Sequence, residues 1–296
     1  LGYVQNRLVG SMMSHVRRGR TNRFLGSLAI VHIPSPQKPE IGPQERIILE
    51  SAVKRCSEQG FSMEIFELEL GPRGEAALSR ILLARGVTGV IFVYPSPSDA
   101  PLQFPWGDFS VLAIDLARPD PVLHTLVHDH YATLSSALVK LRATGYRNAG
   151  LFLERYKDER THYKWSAAFT SFQARQGGIG SVPLLMEEAM TEGAFIDWYR
   201  RHGPDLVIGH VDACVTWLKK LGCRVPADVG FFALNCLHRS PPCAGIDPQL
   251  ELQGKTAADA LIAEVQCGER GKPETPRQVL VPGRIVSGPS VRSRLD

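Results

Sequence analysis

The side chains with the strongest metal-binding or catalytic potential lie in two short motifs, His128-Asp129-His130 and His210-Val211-Asp212. Two histidines separated by one residue on a strand share a face, so the first motif offers two metal-ligand nitrogens. A protein metal site needs a third and a fourth ligand, and no other residue has the spacing of one. We therefore interpret both motifs as solvated or binding-site polar residues, and no metal is expected.

Recognisable catalytic motifs are missing from the sequence. It contains no Gly-x-Ser-x-Gly nucleophile turn and no glycine-rich phosphate loop. The first predicted strand ends in Ile33-Pro34-Ser35, where a dinucleotide-binding domain has a glycine-rich turn. The sequence therefore predicts a protein that is not an enzyme and that needs no cofactor.

The charge distribution indicates a third kind of chemistry, contact with nucleic acid. The first 23 residues contain five arginines and no carboxylate, and the rest of the chain has 29 basic and 30 acidic residues. A basic, acid-free segment next to a nearly neutral body is typical of phosphate binding, because attraction to the backbone grows with the number of cations. The alternative interpretation is a solvated connector with incidental charge.

Length and composition predict a two-lobed globular protein. A chain of 296 residues that is 44% hydrophobic can bury a large core. Its six cysteines are scattered and form no Cys-x-x-Cys pair, which favours a reducing, cytoplasmic setting. No run of 18 apolar residues exists, so no membrane association is expected.

The elements that must position these residues alternate between buried strands and helices. Strands are predicted at 27–33, 61–68, 87–93, 110–114, 148–153, 182–185, 205–209 and 229–233, with helices at 44–59, 75–85, 131–144, 162–176, 194–202 and 211–221. The pattern stops at Gly145 and then restarts. The predicted fold class is α/β, with two doubly wound parallel-sheet lobes and a ligand cleft between them.

Several segments, taken in order, resemble the LacI/GalR family of bacterial transcription repressors. They are Leu1–Met12, Leu83–Val90, Gly145-Tyr146-Arg147, Pro204–Ile208 and Val225–Gly230. The resemblance implies a periplasmic-binding-protein-like fold of type I, a homodimer, a sugar-like effector and operator DNA as partners. It also implies a helix-turn-helix domain ahead of Leu1 that is missing from this chain.

The same resemblance implies a division of the chain into three parts. Residues 1–23 would be a hinge segment, 24–145 with 249–276 the N-terminal lobe, and 146–248 with 277–296 the C-terminal lobe. In the hinge, Asn6 would cap a short helix and Met12 would wedge into a minor-groove step. The hinge arginines expected near phosphates are Arg7, Arg17 and Arg18.

Effector-binding residues are expected in loops at strand ends. The candidates are Ser35, Tyr94, Ser96, Asp129, Lys164, Trp165, His210, Asp212 and Asn235. Sugar-responsive relatives have an arginine and an aspartate at two positions that hold Trp165 and Asn235 here. Trp165 is interpreted either as an aromatic face for a ligand or as a core residue. Asp212 is interpreted either as a ligand contact or as a charge favoured by a helix dipole.

A periplasmic receptor for a sugar is the alternative function, because it shares the fold. The basic tail, the scattered cysteines and the lack of a signal segment in this sequence favour the regulator.

Overall fold

A computed structural model describes residues 24–34, 40–93, 102, 104–115, 122–175, 182–237, 242–292 and 295. Contacts divide the chain into two compact units. The described residues of unit 1 lie within 24–127 and 250–281, and those of unit 2 within 128–249 and 282–295. The chain therefore passes between the units three times.

The elements of the first half of the chain begin with a buried strand. In order they are β1 (Gly26–His32), α1 (Pro43–Glu58), β2 (Phe61–Glu67), α2 (Pro72–Ala84), β3 (Val87–Val93), β4 (Ser110–Ile114), β5 (His124–Asp129), α3 (His130–Ala143) and β6 (Ala149–Glu154). A short 3-10 turn at Trp106–Asp108 precedes β4.

The second half continues with short strands and amphipathic helices. In order they are α4 (Arg155–Glu159), α5 (Lys164–Arg175), β7 (Leu185–Glu187), α6 (Glu192–His202), β8 (Leu206–Gly209), α7 (Ala213–Lys220), β9 (Gly230–Ala233), β10 (Gly245–Asp247), α8 (Leu250–Cys267), β11 (Gln278–Pro282) and β12 (Arg284–Val286). None of the helices in the described ranges is long and apolar enough to cross a bilayer.

Each unit contains one six-stranded sheet. The order in unit 1 is β11-β5-β4-β3-β1-β2, and the order in unit 2 is β12-β10-β9-β8-β6-β7. In the first sheet, the neighbouring strands β5, β4, β3, β1 and β2 are all parallel. In the second sheet, β10, β9, β8, β6 and β7 are parallel in the same way, while β12 is antiparallel to β10. The predicted α/β fold class with two mostly parallel sheets is thus confirmed.

The core of unit 1 includes helix α8, which follows residues 128–249 of unit 2 in the chain. Leu261 and Ile262 of α8 lie in the same apolar cluster as Leu49 and Ala52 of α1. Gly254 allows the two helices to approach closely, because a Cβ there would lie 2.2 Å from the Ile48 carbonyl oxygen. Burial of this interface contributes to stability in proportion to the apolar area removed from water.

In unit 2, α3 and α5 pack on one face of the sheet. Leu134 and Leu138 of α3 share a core cluster with Trp165 and Phe169 of α5. The sequence analysis places the boundary between the lobes after Gly145, at the end of α3. The contacts place it before α3, because the apolar face of this helix is buried against α5 in unit 2.

Local signals explain where most elements begin and end. Asp129 caps α3, its carboxylate accepting the Ala132 N–H at 3.0 Å. Thr191 caps α6 in the same way, and Gly203 ends that helix in the left-handed conformation, with φ of 56°. The short helix α4 is not among the predicted elements, and β7 begins where the prediction of 182–185 ends.

Candidate functional site

The carboxyl edge of the unit 2 sheet gathers several polar residues. Strands β6, β8 and β9 are mutually parallel and end at Glu154, Gly209 and Ala233. Because the carboxyl ends of parallel strands share one edge, the segment 155–165, His210 and Asn235 follow the sheet at that edge. In open α/β sheets this edge is the usual place for a ligand.

Four rings form a contiguous group at this edge, which we call the imidazole–tryptophan cluster: His128, His130, Trp165 and His210. The His130 ring centroid lies 4.5 Å from that of His128 and 4.6 Å from that of Trp165. The Trp165 ring lies 6.0 Å from His210. Three histidines therefore surround one indole, at distances typical of interacting aromatic pairs.

Trp165 belongs to the protein core as well as to this cluster. Only 2% of it is exposed, and it shares an apolar cluster with Ala168 and Phe169 of its own helix and with residues of α3. The two interpretations of Trp165 are therefore compatible, because its helix buries it while its ring borders the histidines.

His130 is held in the neutral form. Burial lowers its pKa well below the usual range, and the nearby basic groups His128, Arg160, Lys164 and His210 lower it further. Its Nδ1 atom is buried and has no hydrogen-bond partner among the described residues. Arg160 and Lys164 are both half-buried, so the basic groups are concentrated where solvent screens them less than at an open surface.

Three predicted candidates occupy structural positions. Asp129 caps α3, as described above. The Asn235 Oδ1 atom accepts the Leu237 N–H at 3.0 Å, which shapes the loop after β9. Asp212 is exposed and stands at the N-cap position of α7 without capping it through its side chain, which fits the helix-dipole interpretation.

Some predicted residues lie outside the described part of the chain. They are the effector candidates Ser35, Tyr94 and Ser96, and the hinge candidates Asn6, Arg7, Met12, Arg17 and Arg18. Their roles stay predictions.

Arg160 lies within the segment 156–165 that the sequence places after a strand end, but the contact of the His130 ring with Trp165 is not predicted from the sequence. The His128-Asp129-His130 motif marks the point where β5 passes directly into α3. The motif alone does not reveal that α5 brings Trp165 against it.

A second polar cluster in unit 1 also escaped the sequence analysis. Among the described residues, His124, Glu264 and Glu269 are the three whose potential ligand atoms lie within 4.8 Å of one another. The Arg277 guanidinium already occupies this cluster, with Nη2 2.7 Å from Glu264 Oε1 and 3.1 Å from Glu269 Oε2. These residues therefore form an ion-pair network with Arg277, and the His128-Asp129-His130 motif is not part of it.

Comparison with known proteins agrees with this architecture. A family model described as a periplasmic binding protein-like domain matches residues 139–291, just over half of the chain. No sequence among the curated proteins matches.

Solved structures with the same fold include several transcription regulators. A putative LacI-family regulator from Rhizobium etli is 14% identical with a TM-score of 0.69, covering 92% of this chain and 99% of its own. The regulator CelR with cellobiose is 18% identical with a TM-score of 0.63, covering 96% and 90%. The lac repressor dimer bound to operator and the anti-inducer ONPF is 17% identical with a TM-score of 0.62, covering 99% and 100%. At these identities the likeness establishes the fold.

Proposed function

Because the chain belongs to the periplasmic binding protein-like domain family, we propose that it is the effector-binding and dimerisation region of a LacI/GalR-like transcription regulator. It senses a small polar metabolite, a sugar or sugar derivative, and performs no chemistry of its own. Its effector acts by binding one of two conformations more tightly, since a ligand shifts an equilibrium only through differential affinity.

The observation that carries the proposal is the imidazole–tryptophan cluster at the carboxyl edge of the unit 2 sheet. An indole face with hydrogen-bonding rings around it suits a ligand with both apolar and polar surfaces. The solved regulators support the same assignment, because CelR holds cellobiose and the lac repressor holds ONPF in structures of this fold.

The proposed effector contacts come from the described residues at this edge. Trp165 supplies an aromatic face, while Lys164, His130, His210 and Asn235 supply polar contacts. Ser35, Tyr94 and Ser96 are further proposed effector contacts, because each follows a predicted strand end in the sequence.

The N-terminal basic segment is proposed to contact operator DNA. Arg7, Arg17 and Arg18 would approach phosphates, Asn6 would cap a short helix, and Met12 would enter the minor groove. An isologous homodimer would match a palindromic operator, because both have two-fold symmetry.

A thermal-shift screen tests the sensing function directly. This chain would be heated with monosaccharides, disaccharides, sugar acids, sugar phosphates and nucleobases, because a ligand bound only by the folded state raises the melting temperature. A saturable stabilisation by one class is the expected result. No stabilisation by any class would contradict the sensing function.

A gel-shift measurement tests the regulatory function. The chain would be joined behind a LacI-family helix-turn-helix domain of known operator, and operator affinity measured with and without the effector found above. We expect the effector to change the affinity, and Met12→Ala to weaken operator binding while leaving effector affinity intact. If neither the effector nor Met12→Ala changed the operator affinity, the proposal would be contradicted.

A further inference from the structure

We propose that the effector of this protein carries an oxyanion, a carboxylate or phosphate group, which binds among the imidazole–tryptophan cluster, Lys164 and Arg160. This inference rests on the proposed sensing function and narrows its ligand class. A neutral sugar is excluded as the preferred effector.

The first step is the concentration of basic groups around one aromatic face. His128 comes from β5, His130 from the start of α3, His210 from the end of β8, and Lys164 from the start of α5. The three histidine rings converge on Trp165, with centroid distances between 4.6 and 6.3 Å. Such convergence is typical of a built binding site, because no single helix or turn places these groups together.

The second step is the hydrogen-bonding character of those groups. Ammonium and guanidinium groups donate hydrogen bonds and accept none, and a protonated imidazole is also only a donor. Carboxylate and phosphate oxygens accept hydrogen bonds and carry negative charge, so they are complementary to these positively charged donors. The position where sugar-responsive relatives are expected to have an aspartate holds the neutral Asn235, which adds no negative charge that would repel an anion.

The third step is the buried Nδ1 atom of His130. It has no hydrogen-bond partner among the described residues, and its ring lies between His128 and Trp165. Leaving a buried polar atom unsatisfied destabilises a fold, so such an atom is often explained by a ligand or water. An oxyanion at this place would accept a hydrogen bond from the protonated ring.

Two acidic groups near the cluster accept backbone N–H groups. Oδ1 of the buried Asp158 of α4 accepts the Ser166 N–H at 3.2 Å, while its Oδ2 atom has no hydrogen-bond partner among the described residues. The Asp129 carboxylate accepts the Ala132 N–H. Asp212 is exposed ahead of α7. The basic groups that face His130 are His128, Arg160, Lys164 and His210, and they lower its pKa together with burial.

A proton should therefore enter the site together with the ligand. In the free protein His130 is neutral, because its pKa is lowered. A bound anion favours the charged ring and raises that pKa again, so binding takes up a proton. The affinity for an anion should consequently fall as the pH rises through the pKa that His130 has in the complex.

The test uses sugars that differ only at one carbon. Glucose, glucuronate and glucose 6-phosphate would be compared by thermal shift and calorimetry, with the galactose series, ribose and ribose 5-phosphate, and inorganic phosphate alongside. We expect stabilisation by anionic members and not by their neutral partners. Glucuronate and glucose 6-phosphate then separate a carboxylate site from a phosphate site.

Charge-removing variants locate the site. Lys164→Gln should weaken binding of the anion about ten-fold or more, because hydrogen bonds between charged groups contribute more than neutral ones. The control is Lys219→Gln, which removes one exposed charge from the end of α7 in the same unit and should leave the affinity unchanged. His130→Gln should flatten the pH dependence of the affinity.

The outcomes separate this inference from the proposed function. Neutral sugars that bind as tightly as their acids would overturn the oxyanion assignment and leave the sensing function standing. An anion that binds equally to Lys164→Gln and to wild-type protein would place the site elsewhere and also overturn the assignment. No binding by any member, inorganic phosphate included, would overturn the oxyanion assignment, and the wider thermal-shift screen would then decide the sensing function separately.

Discussion

The Arg277 guanidinium lies 2.7 Å from the Glu264 carboxylate, and this contact ties the start of β11 to the last turns of α8. The backbone N–H of Arg277 also donates to Nδ1 of His124 at 2.9 Å, at the start of β5. Glu269 accepts from the same guanidinium at 3.1 Å. One arginine therefore connects three segments of unit 1.

The stability of the protein should depend on the protonation of Glu264. Burial and the neighbouring Glu269 raise the pKa of Glu264 to about 7. Between its ordinary value of 4.5 and about 7, the folded protein binds this proton more tightly than the unfolded chain, so this contribution to stability is lost as the pH rises. In Glu264→Gln, unfolding free energy measured with denaturant should fall less between about pH 5 and about pH 7.5 than in wild type.

Two neighbouring groups also have shifted pKa values. The pKa of His124 is lowered by burial and by Arg277, which opposes the trend, but it is common to both proteins. The pKa of Glu269 is lowered by its hydrogen bond with Glu264, so its effect falls below the window. Glu251→Gln, an exposed carboxylate of the same helix, is the control. If the free energy of unfolding changed with pH in the same way in Glu264→Gln and in wild type, the raised pKa of Glu264 would be contradicted.

Gly254→Ala should destabilise unit 1. An added Cβ would lie 2.2 Å from the Ile48 carbonyl oxygen and 2.8 Å from the Ser51 Cβ, so α8 would have to move away from α1. We expect a loss of about 1–3 kcal/mol in the free energy of unfolding, as for other overpacked interiors. The matched change Gly193→Ala, in α6 with no atom within 4 Å of the added carbon, should gain about 0.5–1 kcal/mol. Equal effects of the two changes would show that helix packing does not require glycine at 254.

Trp165→Phe should weaken effector binding while the protein stays folded. The smaller ring keeps the α3–α5 core filled but loses part of the face next to His130 and His210. Trp165→Ala is a poor test, because truncating a buried tryptophan destabilises a protein by about 3–5 kcal/mol. Calorimetry would compare the affinities of Trp165→Phe and wild type, with circular dichroism as the folding control. Unchanged affinity would remove Trp165 from the site.

Asp205→Asn should destabilise the protein at the starts of β6 and β8. The Asp205 carboxylate accepts the backbone N–H groups of Arg147 and Asn148, at 2.8 and 2.9 Å. An amide offers one accepting oxygen instead of two, so one N–H loses its partner and stability falls by about 1–2 kcal/mol. Asp197→Asn, at an exposed position of α6, should stay within about 0.5 kcal/mol of wild type by chemical denaturation. A similar loss in both variants would point to net charge instead of this contact.

The fold was largely predictable because its signals are local. The strand β3 is a continuous apolar run with the same bounds in prediction and structure, and the same is true of β4. The boundary between the units was harder to predict, because the assignment of α3 depends on its packing with α5 and not on its own sequence.

The candidate site was predictable only in part. Lys164, Trp165, His210 and Asn235 follow strand ends in the sequence, and the structure places them at one edge of the unit 2 sheet. The ring contacts of His130 and the half-buried charge of Arg160 arise from tertiary packing, which leaves no periodic pattern in the sequence. The cluster around Arg277 is hidden for the same reason, since His124 and Glu264 lie far apart along the chain.

The position of α8 and β11 in the chain has a consequence for synthesis. Unit 1 needs Leu261 and Ile262 for its core and β11 for the edge of its sheet, yet these follow all of residues 128–249 in the order of translation. During synthesis β5 exposes an unpaired edge, and α1 lacks its helical partner, until the ribosome has passed β11. The first unit to be translated is therefore unable to complete its fold until most of the second has been made.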